Sequence, residues 1–157
     1  MAGSTTTKAD LAACYEGVVR NEWIDANGHM NLAYYLVLFD AATDVLLERI
    51  GFGTAYRETE AAALFAIEAH TIYRRELVEG DRVRIAARVL GATSKRVHVV
   101  HEMFHADAGC AAMQEILFLH VDLQSRRATA IAASVVARLQ PAEAQAPPSW
   151  VGRTISL

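Results

Sequence analysis

The sequence predicts one α+β domain in which an antiparallel sheet encloses a single long helix. Three observations carry this. Apolar residues recur at helical spacing from about Asn31 to Ile50, four later segments read as long strands, and short turn signals separate those strands. A chain of 157 residues is long enough for one real core, and 53% hydrophobic against 21% charged residues is the composition of a folded chain rather than a disordered one.

The elements follow in order. Residues 1–12, opening Met1-Ala2-Gly3-Ser4-Thr5-Thr6-Thr7-Lys8, lack the apolar stretch of a signal peptide and read as a disordered tail, with the domain expected over 13–157. Tyr15 to Glu22 is a strand centred on Val18 and Val19. Asp25-Ala26-Asn27-Gly28 is a turn, since Asn-Gly favours one. The helix from Asn31 to Ile50 carries Leu32, Tyr35, Leu36, Phe39, Ala42, Leu46 and Ile50 on one face. Val37, Ala41 and Leu47 make much of the remainder apolar, so the helix is expected to be enclosed. Asp40, Asp44 and Glu48 form an acidic stripe that reads as a solvated edge. Gly51 and Gly53 end the helix, and Phe52 to Leu64 connects onward with a short helical turn.

Strands are then expected at Leu64–Leu77, Arg82–Leu90, Arg96–His105 and Ala111–Leu123. Glu79-Gly80-Asp81 reads as a hairpin turn, and Gly91–Ser94 and Ala106–Gly109 as further turns. Ala111–Leu123 is almost wholly apolar and is expected to be central. A helix near Ala132–Leu139, a Pro147-Pro148 linker and an extended tail close the chain. A curved antiparallel sheet wrapped around one long central helix is the hot-dog arrangement.

Bulk properties exclude several classes. No apolar run reaches the ~18–20 residues that span a bilayer, so no membrane association is expected and the cytoplasm is the expected location. A net charge of -3 and a pI of about 6.0 argue against nucleic acid, and any anionic ligand must meet a local basic patch. Cys14 and Cys110 have no partner motif and read as two reduced thiols.

His101-Glu102-Met103-Phe104-His105 matches the H-E-x-x-H pattern of zinc proteases. That pattern works on a helix, where residues four apart stand one turn apart. Here Val97, Val99 and Val100 on one side and a glycine turn on the other make it a strand, which separates the histidines by ~13 Å. No metal site is expected. His70, His98 and His120 likewise read as hydrogen-bonded strand residues.

The turn before the helix is the stronger candidate. A helix N-terminus offers unpaired N–H groups and partial positive charge, which can polarise a carbonyl oxygen and stabilise a developing oxyanion. Gly28 removes a side chain that would block close approach. Asp25 supplies a carboxylate that can attack a thioester or activate a water, and a thiolate leaves without a strong general acid. Asn27, His29 and Asn31 add polar groups in the same small volume. The same residues also suit a plain turn with an asparagine cap, and sequence physics leaves both readings open. Lys95-Arg96 after Ser94, and Arg82, Arg84 and Arg88 on one face of the neighbouring strand, are candidate phosphate contacts or simple edge charges.

The segment Glu22-Trp23-Ile24-Asp25-Ala26-Asn27-Gly28-His29-Met30-Asn31, leading into Ala33-Tyr34-Tyr35 and Phe39-Asp40-Ala41, resembles the 4-hydroxybenzoyl-CoA thioesterase-like branch of the hot-dog superfamily. Those enzymes carry an aspartate three residues before a glycine that opens the central helix, as Asp25 and Gly28 do. Glu68-Ala69-His70, Tyr73-Arg74-Arg75-Glu76-Leu77, Lys95-Arg96-Val97-His98, Leu119-His120-Val121-Asp122-Leu123 and Gly152-Arg153-Thr154-Ile155 are similar to a narrower group, the betainyl-CoA and dehydrocarnitine-pathway thioesterases. His29-Met30-Asn31 departs from the wider family, which often has valine or isoleucine after the glycine, and leaves the role of His29 open.

The resemblance implies hydrolysis of a small acyl-CoA, with Asp25 as the catalytic carboxylate, supported by Asn27, Gly28, His29 and Asn31. CoA belongs to the substrate and no cofactor is expected. Met30, Tyr34, Tyr35, Phe65, Glu68 and His70 are candidate substrate contacts, and Lys95 and Arg96 candidate CoA contacts, from the same or a partner subunit. A quaternary ammonium on the acyl group would favour aromatic faces, for which Trp23, Tyr34, Tyr35, Phe65 and Tyr73 are available. The resemblance further implies a homodimer or homotetramer with the active site at the dimer interface. A hot-dog enoyl-CoA hydratase or dehydratase, using a histidine–carboxylate pair, and a non-catalytic acyl-CoA-binding module are the competing functions.

Overall fold

The computed structural model describes residues 12–140 and 146–152. Residues 1–11 of the expected tail, and Arg153 to Ile155, lie outside the described residues. Ala12 already opens the first strand. The elements are β1 (Ala12–Val18), α1 (Leu32–Ile50), α2 (Thr54–Glu60), β2 (Ala62–Tyr73), β3 (Arg82–Ala92), β4 (Arg96–His105), β5 (Gly109–Asp122) and α3 (Ala133–Arg138). The five strands form one antiparallel sheet in the order β1-β3-β4-β5-β2, with α1 packed across β1, β3 and β4. This is the expected α+β hot-dog architecture.

The helix forms where its periodicity places it. Tyr35, Leu38, Phe39, Ala42, Leu46 and Ile50 are buried on one face and join Val83, Ile85, Ala87 and Val89 of β3 in the core. Gly51 closes α1 in the left-handed conformation. The expectation that α1 is enclosed holds on that face only. Leu32 is 61% exposed, Val37 52% and Leu36 41%, so a single chain leaves an apolar strip of the helix uncovered. This strip flanks β2, an edge strand whose residues 66–69 are exposed.

Two strand expectations need correction. β1 ends at Val18 rather than Glu22, because Asn21–Trp23 tightens into a 3-10 turn. β2 ends at Tyr73 rather than Leu77, and Glu79-Gly80-Asp81 is a turn but not a hairpin. β5 and β4 stand between β2 and β3, so residues 74–81 cross from one side of the sheet to the other. The turn instead ties to the end of β1, where Val19 N–H donates to Asp81 O at 2.9 Å and Gly80 N–H to Val19 O at 2.9 Å.

The sheet therefore has two chemically different ends. Val18, Tyr73 and Arg82 mark one end; Ala62, Ala92, Arg96 and Asp122 mark the other. Helix α1 starts at the first end, held by Met30 N–H on Leu77 O at 2.7 Å. It finishes at the second, where the Arg138 guanidinium donates to Ile50 O at 3.0 Å. Residues 146–152 are anchored on the sheet. Trp150 is 7% exposed against Val100 and Met113, and Gly152 N–H donates to Glu115 Oε2 at 2.7 Å. Among the described residues no helix is long and apolar enough to cross a membrane.

Candidate active site

The turn between β1 and α1 is closed by an isolated bridge between Ile24 and Met30. Inside it, Asp25 N–H donates to His29 O at 3.1 Å and Gly28 N–H to Asp25 O at 3.0 Å. Gly28 has φ +84°, a conformation that side chains with a Cβ disfavour by about 1–2 kcal/mol. A Cβ there would meet nothing within 4 Å, so backbone conformation, not crowding by the protein, is what the glycine supplies.

These local constraints fix the Asp25 carboxylate. Oδ1 accepts Asn27 N–H at 2.8 Å and Oδ2 faces the Asn31 amide at 3.4 Å. Asn31 is also the helix cap, its Oδ1 accepting Ala33 N–H at 3.0 Å. One side chain thus starts the helix and holds the carboxylate. The turn-and-cap reading and the reactive-carboxylate reading describe the same geometry. Of the helix-start donors, Gly28, Met30 and Asn31 are engaged by Asp25 O, Leu77 O and Trp23 O. The N–H groups of His29 and Leu32 have no acceptor among the described residues and are the donors left for a ligand.

A cavity of about 400 Å³ opens over this turn. Asp25, Asn27, His29, Met30 and Asn31 form one wall, Leu32 and Tyr35 come from α1, and Tyr73, Arg74, Arg75 and Glu76 come from the end of β2 and the crossover. Tyr35 is 4% exposed, and its hydroxyl donates to Arg75 O at 2.9 Å. Burial, with Glu76 adding repulsion, raises its phenol above the ordinary range and keeps it protonated. Tyr73 meets Tyr35 edge-on at 5.1 Å. His29 turns towards Glu76, Nε2 to Oε1 3.8 Å, rather than towards the Asp25 carboxylate.

The other candidate residues lie elsewhere. Tyr34 stacks on Trp23 at 5.4 Å outside the cavity. Glu68 is exposed in the middle of β2, beside a bulge between Ala66 and Glu68. His70 is half-buried with an unpartnered Nδ1. Lys95 and Arg96 are exposed at the opposite end of the sheet. Arg96 is level with Leu119 and hence with Phe65, and Tyr73 stands eight residues further along β2, ~26 Å away. Within one chain they do not reach the Asp25 cavity. Arg82 and Arg84 are exposed and Arg88 half-buried, and none of the three lines it.

Phe65 lines a second cavity of about 440 Å³ at that far end, walled by Asp40, Asp44 and Glu48 with Phe52 and Phe118. The acidic stripe is exposed, as expected of a solvated edge, but it also shapes this hollow, and Glu48 accepts Thr54 N–H at 2.7 Å. Burial, then Asp44, raises the Asp40 carboxyl above its ordinary range. The H-E-x-x-H run lies on β4. His101 is fully buried with Nε2 2.9 Å from Thr43 Oγ1, whereas His105 pairs with Asp81 at 3.3 Å.

Sequence reasoning gave no role to Arg74, Arg75 and Glu76. The signal was present as a resemblance in Tyr73–Leu77, but only the crossover of the chain brings these residues to Asp25.

The thioesterase-like superfamily profile matches residues 19–139. A curated betainyl-CoA thioesterase of Pseudomonas aeruginosa is 38% identical over 154 residues, covering 95% of this chain and 97% of that protein. A crystal structure of a putative thioesterase from Pseudomonas putida is 36% identical with a TM-score of 0.73, covering 91% and 94% of the two chains. A hypothetical protein of Staphylococcus aureus, determined in complex with CoA, superposes with a TM-score of 0.80 at 26% identity, covering 92% and 94%. A match over most of the chain, joined to a carboxylate fixed at the start of the central helix, establishes that this chain belongs to the thioesterase-like superfamily.

Proposed function

We propose that this chain hydrolyses a short acyl-CoA thioester to free acid and CoA, with a betainyl-CoA-type acyl group as its substrate. The observation that carries the reading is the Asp25 carboxylate, held by Asn27 and Asn31 on the wall of a cavity beside the start of α1. The similarity to the Pseudomonas betainyl-CoA thioesterase supports the acyl class.

In the reaction, the His29 and Leu32 N–H groups hold the thioester oxygen and stabilise the charge that develops on it. Asp25 acts by one of two balanced routes. As a base it takes a proton from water, hydroxide adds to the carbonyl carbon, the C–S bond breaks, and the departing thiolate recovers the proton. As a nucleophile its oxygen adds to the carbonyl carbon, expels the thiolate, and leaves an anhydride that water cleaves. Arg74 and Arg75, exposed in the cavity lining, suit the phosphates of CoA, as do Lys95 and Arg96 if a partner subunit brings them across. The exposed strip of α1 beside the open edge of β2 supports pairing with a second copy of the chain.

Release of free CoA thiol from a panel of acyl-CoAs, measured for wild type and Asp25→Asn, tests the assignment. A loss of at least 100-fold in kcat is expected for the variant, as for removal of an essential base or nucleophile. Wild-type turnover in Asp25→Asn would remove Asp25 from the mechanism. The hydratase alternative needs a histidine paired with a carboxylate across the substrate, and consumption of an enoyl-CoA without thiol release would favour it.

A further inference from the structure

We propose that Tyr35 and Tyr73, with Glu76 beside them, form a cation subsite that selects an acyl group carrying a quaternary ammonium next to the thioester. The inference rests on the thioesterase reading of the same cavity and says how that cavity recognises its acyl group.

The size of the ligand sets the first constraint. In an ammonio-acetyl thioester one methylene separates nitrogen from the carbonyl carbon, which puts the two about 2.5 Å apart. A subsite for the cation must therefore lie in the cavity that holds the reacting carbon. That requirement excludes the acidic hollow within the same chain, since Asp40 and Asp44 stand five and nine residues beyond Tyr35 along α1, ~7.5 and ~13.5 Å of helix rise.

Among the described residues, the six-membered aromatic rings that line the Asp25 cavity are those of Tyr35 and Tyr73, and they lie 5.1 Å apart at 84°. An ammonium within about 6 Å of such a ring is attracted by its negative face. Tyr35 cannot swing away, because it is buried and its hydroxyl is tied to Arg75 O. Tyr73 is 44% exposed, so core packing does not account for a large ring at this position. Asp25 and Glu76 in the lining add two negative charges, which offset the positive charges of the exposed Arg74 and Arg75 beside them. The α-ammonium also withdraws electrons from the carbonyl, which suits a site whose unengaged helix-start donors are the two backbone N–H groups of His29 and Leu32.

The test compares betainyl-CoA with 3,3-dimethylbutyryl-CoA, which has the same shape with carbon in place of the charged nitrogen. The two differ in intrinsic reactivity, so the readout is how the ratio of their kcat/KM values changes between wild type and variant. Tyr73→Leu is expected to lower the ratio about 2- to 30-fold. Tyr73→Phe keeps the ring and keeps the ratio, and Glu76→Gln lowers it by a smaller factor. Because Tyr73 is exposed, these variants do not depend on rebuilding the core. An unchanged ratio in Tyr73→Leu overturns the subsite, as does a fall in Asp44→Asn matching that in Tyr73→Leu, which would place the cation in the acidic hollow of a partner. If Tyr73→Leu loses both substrates equally, the ring positions the thioester and the proposal fails while the thioesterase reading stands. If wild type releases no CoA from either substrate, both fall together.

Discussion

Asn31 and His101 show what a single residue can reveal and conceal. Asn31 was legible in the sequence as one of two candidate helix caps, with Asn27, because capping is a local rule acting over two or three residues. Its second bond, to the Asp25 carboxylate, depends on the turn folding back over six residues and was not legible. His101 was legible as a strand residue rather than a zinc ligand, but not as the polar group most deeply buried under α1. Burial lowers its imidazole from the ordinary 6.5 to about 4. The unfolded chain gains this proton as the pH falls through about 6.5, and the folded chain does not until about 4. Folding stability is therefore lost across that window, by about 3 kcal/mol in full. Urea unfolding of wild type and His101→Gln at pH 7.5 and 5 checks this. The wild type is expected to lose more stability on acidification than the variant, and parallel losses would show that His101 does not set the acid limit.

The elements were legible in proportion to how local their signals are. β4 begins and ends between the two turn signals that flank it, and α1 where its cap and Gly51 place it. The hairpin expected at Glu79–Asp81 failed because two strands joined by a glycine turn look paired in sequence, whereas sheet order is a non-local property. That error is also why Arg74, Arg75 and Glu76 were missed, since the same crossover brings them to the cavity. The Pro147-Pro148 segment misled in another way. Proline marks a break in regular structure, but it says nothing of the tryptophan that follows. Trp150 covers Val100 and Met113 on the outer face of the sheet, with Ile72, Leu90 and Cys110 at its margin. Trp150→Ala is expected to destabilise the fold by about 3 kcal/mol. Denaturant unfolding followed by far-UV circular dichroism measures it. A change within 0.5 kcal/mol or so, the ordinary range for surface substitutions, would mean that the segment contributes no packing energy.

At the scale of the whole molecule, the two ends of the sheet decide how a complete site is assembled. Asp25 lies at the end where α1 begins; Lys95, Arg96 and Phe65 lie at the other, too far to serve it within one chain. Two chains joined edge to edge through antiparallel β2 strands about a twofold axis reverse this relation. In this proposed pairing the far end of each chain would adjoin the Asp25 cavity of its partner, and Leu36 and Val37, exposed on α1 of the single chain, would be covered beside the joined edges. The consequence is a subunit-complementation experiment. Asp25→Asn and the double variant Lys95→Ala/Arg96→Ala are each expected to hydrolyse acyl-CoA poorly below saturation. When the two are unfolded together and refolded at equal concentration, random pairing makes half of the dimers mixed. Each mixed dimer contains one site with an intact Asp25 from one chain and intact Lys95 and Arg96 from the other, so about a quarter of wild-type activity should return. If the basic pair serves Asp25 in its own chain, no site is restored by mixing and activity stays at the mean of the two parents. A molecule that is monomeric by light scattering at assay concentration would defeat the arrangement before any mixing.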